Sequence, residues 1–407
     1  MQQMKKALPP ENIRYLGRPA HGIGLAVLLV CTNLYLIATN PNPHADALLV
    51  AALEILAAIV LLLRKSRGLA YALVLAALIV HIFVFVHIVA NGDQDKLSTR
   101  DDAVEVTVRS FLHGHNAWNA SPGVGVTTGP TSILLAVPFF ILFRHINALS
   151  FTFWLLFLAL LLWFDIRHEN NSWLALSMFF LLGWFDIEHT MYWSLEELYY
   201  PILMLALACL LVRRKVWWGV GAFWAAAILT RPNYAFLVVG FGLWYLLSHP
   251  LDRRAIGRMA VGFSAAAILI LLPFVVVGGK DLLTNNPWRF AIGFAGAAWP
   301  DTNFVFRLLN QVAASFGPSL TTGLKLAVAL LLLVGIAWAL RNARLDHPFW
   351  HVTAAALIAH TVVWLPAQFP SDYTLLFVLP AMLAIAMTPG RGGPAARPTW
   401  AAAAAPE

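Results

Sequence analysis

Residues 195–215 read LEELYYPILMLALACLLVRRK. Two carboxylates, an apolar run as long as one helix needs to cross a bilayer, and a cationic triplet mark a membrane span and both its ends. Cations hold the cytoplasmic end, so Arg213, Arg214 and Lys215 face inward and Glu196 and Glu197 face outward. Composition extends this reading to the whole chain. It is 60% hydrophobic and only 12% charged, with a mean hydropathy of +0.73, whereas an ordinary soluble protein is about a quarter charged. At about 20 residues per crossing, the chain holds on the order of a dozen spans. Little length is left for a separate soluble domain.

Upstream, Lys5, Lys6, Arg14 and Arg18 precede an apolar run from Gly22 to Thr39, read as a retained first span with a cytoplasmic N-terminus. A second run, 47–63, ends at Arg64, Lys65 and Arg67. A third, 69–90, opens into a polar stretch, 91–130, on the outer side. Four apolar runs follow, near 131–143, 150–164, 172–185 and 195–212. Four full crossings would put Arg213–Lys215 outside, so one of the two short runs, 131–143 or 172–185, is expected to be re-entrant or half-membrane. Residues 216–229 then go out, 235–247 return to Arg253, Arg254 and Arg258, and 259–278 go out again. A second outer stretch, 279–323, precedes spans near 324–340, 349–366 and 374–388 and a basic end with Arg391 and Arg397.

The expected fold is all-α: a polytopic transmembrane helical bundle of about 12 crossings plus one re-entrant or half helix. Residues 1–390 form one transmembrane domain with outer loops 91–130 and 279–323, and residues 391–407 form a disordered cytoplasmic tail rich in Gly, Pro and Ala. The expected location is a plasma membrane, the inner membrane of a bacterium. Cys31 and Cys209 lie in apolar runs and read as small hydrophobic fillers, without disulfide or zinc spacing. The net charge of +7 serves orientation, and no nucleic-acid partner is expected.

This topology gathers acids and amides outside and cations inside. In the first outer loop, positions 104, 108, 111 and 112 recur at helical spacing, which predicts a helix beginning near Asp101 and Asp102 and stopping at Gly114. The aspartates have two readings: they offset the helix dipole, or one is a general base at the membrane surface. Glu105 shares their face. Asp93 and Asp95 form a D-x-D spacing that suits a turn after Asn91-Gly92 better than a divalent ion. In the segment 188–197, Glu188, His189 and Glu196 are candidate contacts to a polar substrate, beside the aromatic pair Tyr192 and Trp193. No set of ligands at zinc spacing completes Glu188 and His189, so no metal site is expected, although a divalent ion is not excluded. Arg231, Arg289 and Arg307 are the outer-side cations able to grip a phosphate; each also reads as an interfacial anchor. Asp372 lies in a further outer turn.

The run from Arg100 to Trp118, with Thr127-Thr128-Gly129-Pro130-Thr131-Ser132 entering the next apolar run, resembles the acidic first large outer loop of GT-C superfamily glycosyltransferases. In that pattern an Asp begins a short helix, a Gly-x-Asn-Pro-Tyr-like segment ends it, and Gly-Pro starts the next membrane helix. Gly114-His115-Asn116-Ala117-Trp118 keeps the Gly and Asn, with Ala for Pro and Trp for Tyr. Thr230-Arg231-Pro232 is similar to the Arg-Pro return of polyprenol-phosphate-mannose transferases such as glycosyltransferase family 87. The acidic loop here follows the third span, where the superfamily commonly has it after the first. The resemblance implies transfer of mannose or another sugar from a polyprenyl phosphate to a lipid, glycan or protein acceptor on the extracytoplasmic face. It implies Asp101 or Asp102 as base, and Glu105, Glu188, His189, Glu196, Arg231, Arg289, Arg307 and Asp372 as substrate contacts. No cofactor is implied beyond the lipid-linked donor. Two other readings stay open: a secondary transporter, although no internal repeat is visible, and a lipid-linked glycan polymerase or ligase, which would use the late loop 279–323.

Overall fold

The computed structural model describes residues 67–91, 99–119, 128–168 except 145, 196–288 except 232–233 and 249–251, and isolated positions (Leu56 and some between 311 and 338). Expected spans 22–39, 47–63 (apart from Leu56), 172–185, 349–366 and 374–388, and the tail 391–407, lie outside the described residues. Every extended element described is a helix: α1 Arg67–Asn91, α2 Thr99–Leu112, α3 Pro130–Phe143, α4 Asn147–His168, α5 Glu196–Arg213, α6 Trp217–Ile228, α7 Tyr234–Ser248, α8 Arg253–Gly278 and the short α9 Asp281–Thr284. A 3-10 turn, Ala117–Asn119, lies between α2 and α3.

Local sequence accounts for the ends. Pro130 opens α3, where its missing N–H costs nothing. Asp252 caps α8, its carboxylate accepting from the backbone N–H groups of Arg254 (2.9 Å) and Ala255 (3.2 Å). α2 stops where Gly114 takes a φ of +76°, the conformation Gly adopts at no steric cost. α6 ends at Ile228 with Leu229 as its C-cap, shortly before a proline in the sequence, Pro232, which has no N–H with which to continue a helix.

Among the described residues one helix, α8, is long and apolar enough to cross a membrane, and only 11% of its most apolar window is buried. Ile268, Leu269, Leu272, Val275 and Val276 on it are all exposed. α6 matches the expected run 216–229 to within one residue at each end, and that run is short. The outward crossing over 216–229 is a helix of 12 residues, about 18 Å long, against a hydrocarbon core of about 30 Å. It therefore reaches only part-way through such a core. α3, with 14 residues, is about 21 Å long and falls short in the same manner.

α6 packs tightly against α8. A methyl group on Gly221 would collide with the carbonyl of Met259, and one on Gly262 with that of Trp218. Such close backbone approach through small residues is how helices associate when lipid removes the hydrophobic drive between them. α2 is held differently. Val104, Val108, Ala117 and Trp118 bury themselves with Ile133, Ala136 and Phe140 of α3 and Phe274 of α8. Phe274 stacks on Phe111 (centroids 4.6 Å apart) and tilts against Trp118 (5.2 Å). A single aromatic from the end of α8 thus pins both α2 and the turn after it.

Candidate functional site

After α2 the chain turns at Gly114 and buries Asn116, which is 5% exposed. A buried amide needs partners, and Asn116 has several. Its Oδ1 accepts from the backbone of Trp118 (3.2 Å), and its Nδ2 donates to the carbonyl of Asn285 (3.4 Å) and to Asn119 Oδ1 (3.5 Å). Above it, Asn119 Nδ2 donates to Asp281 Oδ2 (3.1 Å), and Asn285 Nδ2 donates to Asn119 Oδ1 (2.6 Å). Asn119 and Asp281 are exposed while Asn285 is half-buried. These bonds join the two long polar stretches, 91–130 and 279–323.

The indole N–H of Trp118 donates to the carbonyl of Thr128 (3.0 Å), which brings in the start of α3. There Gly129 N–H donates to the carbonyl of Thr230 (2.7 Å) and Thr131 N–H to that of Leu229 (3.1 Å). Ser132 Oγ adds a bond to the same Thr230 carbonyl (3.2 Å). The N-terminal end of α3 therefore meets the C-terminal end of α6, so the positive end of one helix dipole faces the negative end of another. Gly129 is required for this approach, since a Cβ there would overlap the carbonyl oxygens of Leu229 and Thr230. Thr128, Thr131, Ser132 and Thr230 are all buried. Thr131 Oγ1 has no hydrogen-bond partner among the described residues.

Arg231 follows directly on Thr230 and is half-buried, so of the expected site residues it is the one at this junction. Asp101 and Asp102 lie in the first turns of α2, and Glu105, half-buried, lies one turn on. Trp118 touches Thr128 while Arg109 sits over the ring of Phe140 (5.8 Å). α2 therefore runs back along α3, away from the junction. Asp101 is about 16 Å along the helix axis from Leu112. Glu196 is the first residue of α5. Glu188, His189, Arg289, Arg307 and Asp372 lie outside the described residues. Among the described residues no group of three or more His, Cys, Asp or Glu could hold a metal ion.

The residues that build the junction were only partly visible beforehand. Gly114, Asn116, Trp118, Gly129 and Thr230 stand in the quoted motifs. Asn119, Asp281 and Asn285 had no signal, since their partners lie more than 160 residues away. No protein-family model matches the chain, nor does any curated protein or solved structure.

Proposed function

We propose that this chain is an integral-membrane glycosyltransferase of the GT-C type, which takes a sugar from a polyprenyl phosphate and acts on the extracytoplasmic face. One observation carries the reading. Residues 116–119 and 128–132, 229–230, and 278–285 come from three stretches that the charge pattern assigns independently to the outer side, and hydrogen bonds and close contacts tie them into one place. With α6 about 18 Å long and starting at the inner cations, its end at Thr230 is recessed below the outer surface of the bilayer. The broken backbone is tolerable at that depth because α3 and α6 satisfy each other's end groups. A junction proposed to lie at that depth, beside lipid and next to the outer loops, suits a substrate with an isoprenoid tail and a polar head.

In the proposed reaction a carboxylate of Asp101 or Asp102 takes the proton of an acceptor hydroxyl. The hydroxyl oxygen bonds to the anomeric carbon as the bond from that carbon to the phosphate oxygen breaks, with inversion, and the polyprenyl phosphate leaves with the electron pair. Arg231, Arg289 and Arg307 are the cations proposed to meet that phosphate. Base and leaving group act on one carbon, with reacting atoms about 3 Å apart. Arg231, at the meeting of α3 and α6, is one candidate for that contact, with Arg289 and Arg307 as the others. Glu105, Glu188, His189, Glu196 and Asp372 are proposed contacts to the donor sugar and the acceptor.

The test is transfer from a panel of radiolabelled polyprenyl-phosphate sugars to membrane extract by the purified protein. The wild type is expected to transfer from at least one donor. Asp101→Asn or Asp102→Asn is expected to lower the rate at least 100-fold, the low end for removing a general base. Full transfer by both variants removes the base from α2. A second reading, a secondary transporter, is favoured by one feature: the end-to-end meeting of α6 and α3, since broken helices build transporter sites. Solute uptake into liposomes, with no transfer from any donor, selects it.

A further inference from the structure

We infer that Asn119, Asp281 and Asn285 form a subsite for two neighbouring hydroxyls of a sugar. The inference rests on the transferase reading, which brings a sugar to this face, and deepens it by placing the sugar. The first argument is the inventory of open valences. Asn119 uses one of its two amide hydrogens on Asp281 and its oxygen on Asn285 and Asn116. Its second N–H, Asp281 Oδ1 and the second N–H of Asn285 have no partner among the described residues. Each neighbouring pair of sugar hydroxyls can give and accept hydrogen bonds, and a carboxylate beside amide N–H groups matches that alternation. The second argument is support. Asn116 is buried and anchored to Trp118, and it fixes both Asn119 and the Asn285 backbone from below. A set held only to tie two loops together would be complete with Asn116, yet Asn119 and Asp281 stay at the surface.

The charge excludes the other ligand chemistries. One carboxylate is too few for a divalent cation, which takes six or more oxygens in the case of calcium, and Lys280 stands next to it. An anion would face the Asp281 carboxylate. A neutral polyol meets neither obstacle.

Protein in nanodiscs should be titrated with methyl α-mannopyranoside, methyl α-glucopyranoside and methyl β-galactopyranoside, and followed by saturation-transfer NMR. At least one glycoside is expected to bind, with no change on adding a chelator. Asp281→Ala and Asn119→Ala are each expected to weaken it about 10-fold, the loss of one charge-assisted hydrogen bond. Leu283→Ala, at a side chain 84% exposed on the same short helix, is expected to change nothing. If the alanine variants do not fold, Asp281→Asn and Asn119→Asp, which keep the shape, carry the same test. No binding by any glycoside, binding that needs calcium, or equal binding by folded variants overturns the subsite. Transfer in the donor assay with unaltered glycoside binding by the variants overturns the subsite and leaves the transferase. Glycoside binding lost in the variants, with no transfer from any donor, keeps the subsite and sinks the transferase.

Discussion

Thr131 and Trp118 are buried polar residues in opposite circumstances. Thr131 Oγ1 has no partner among the described residues, so Thr131→Val, which keeps the shape and removes the hydroxyl, is expected to leave the melting temperature unchanged or raise it, by up to about 1 kcal/mol of stability. Trp118 gives its indole N–H to Thr128. Trp118→Phe leaves that carbonyl without its donor and should lower stability by about 1–3 kcal/mol in denaturant titration. Gly129→Ala should be worse than either. Its methyl would meet two backbone carbonyls, which cannot swing aside as a side chain can. Overpacking of this kind costs about 1–3 kcal/mol or more, and the variant is expected to be recovered from membranes in low yield.

The helices divide by how their ends are made. α2 was legible because its apolar positions, its acidic start and the glycine after it all lie within one turn of where the structure has them. α6 was legible as an apolar run, 216–229, which exceeds the helix by one residue at each end. What the run does not show is how its end is used: the carbonyls of Leu229 and Thr230 receive the first N–H groups of α3. The pairing itself, between residues about a hundred apart, leaves no local mark. Phe274 tests how the elements are held together. Phe274→Ala empties a site packed by Phe111 and Trp118 and is expected to cost about 3–5 kcal/mol. The loss should appear as faster proteolysis within 99–119, with α6 and α8 still joined through Gly221 and Gly262.

For the whole molecule the strongest expectation concerns sidedness. Cysteine placed at Asn119, Leu283 or Lys280 should react with an impermeant thiol reagent from the outside of intact cells, and cysteine at Lys215 only after permeabilisation. Native Cys209 is buried and should stay silent in both. Labelling of Asn119 and Lys280 positions from opposite sides would break the topology. At this scale the division of charge predicts on which face such a site would lie, and the labelling tests that prediction. What sequence could not supply was the pairing across long separations that selects Asn119, Asp281 and Asn285 from many outer polar residues. The backbone bonds from Gly129 and Thr131 to Thr230 and Leu229 also bear on how the chain is made. On the proposed topology, when α3 enters the bilayer, the groups that will receive its first amide hydrogens have not been synthesised. At about 5–20 residues per second they follow roughly 5–20 s later. For that interval the leading turn of α3 needs water, lipid headgroups or an insertase as stand-in, so assembly from residue 128 onward is set to wait for residue 230.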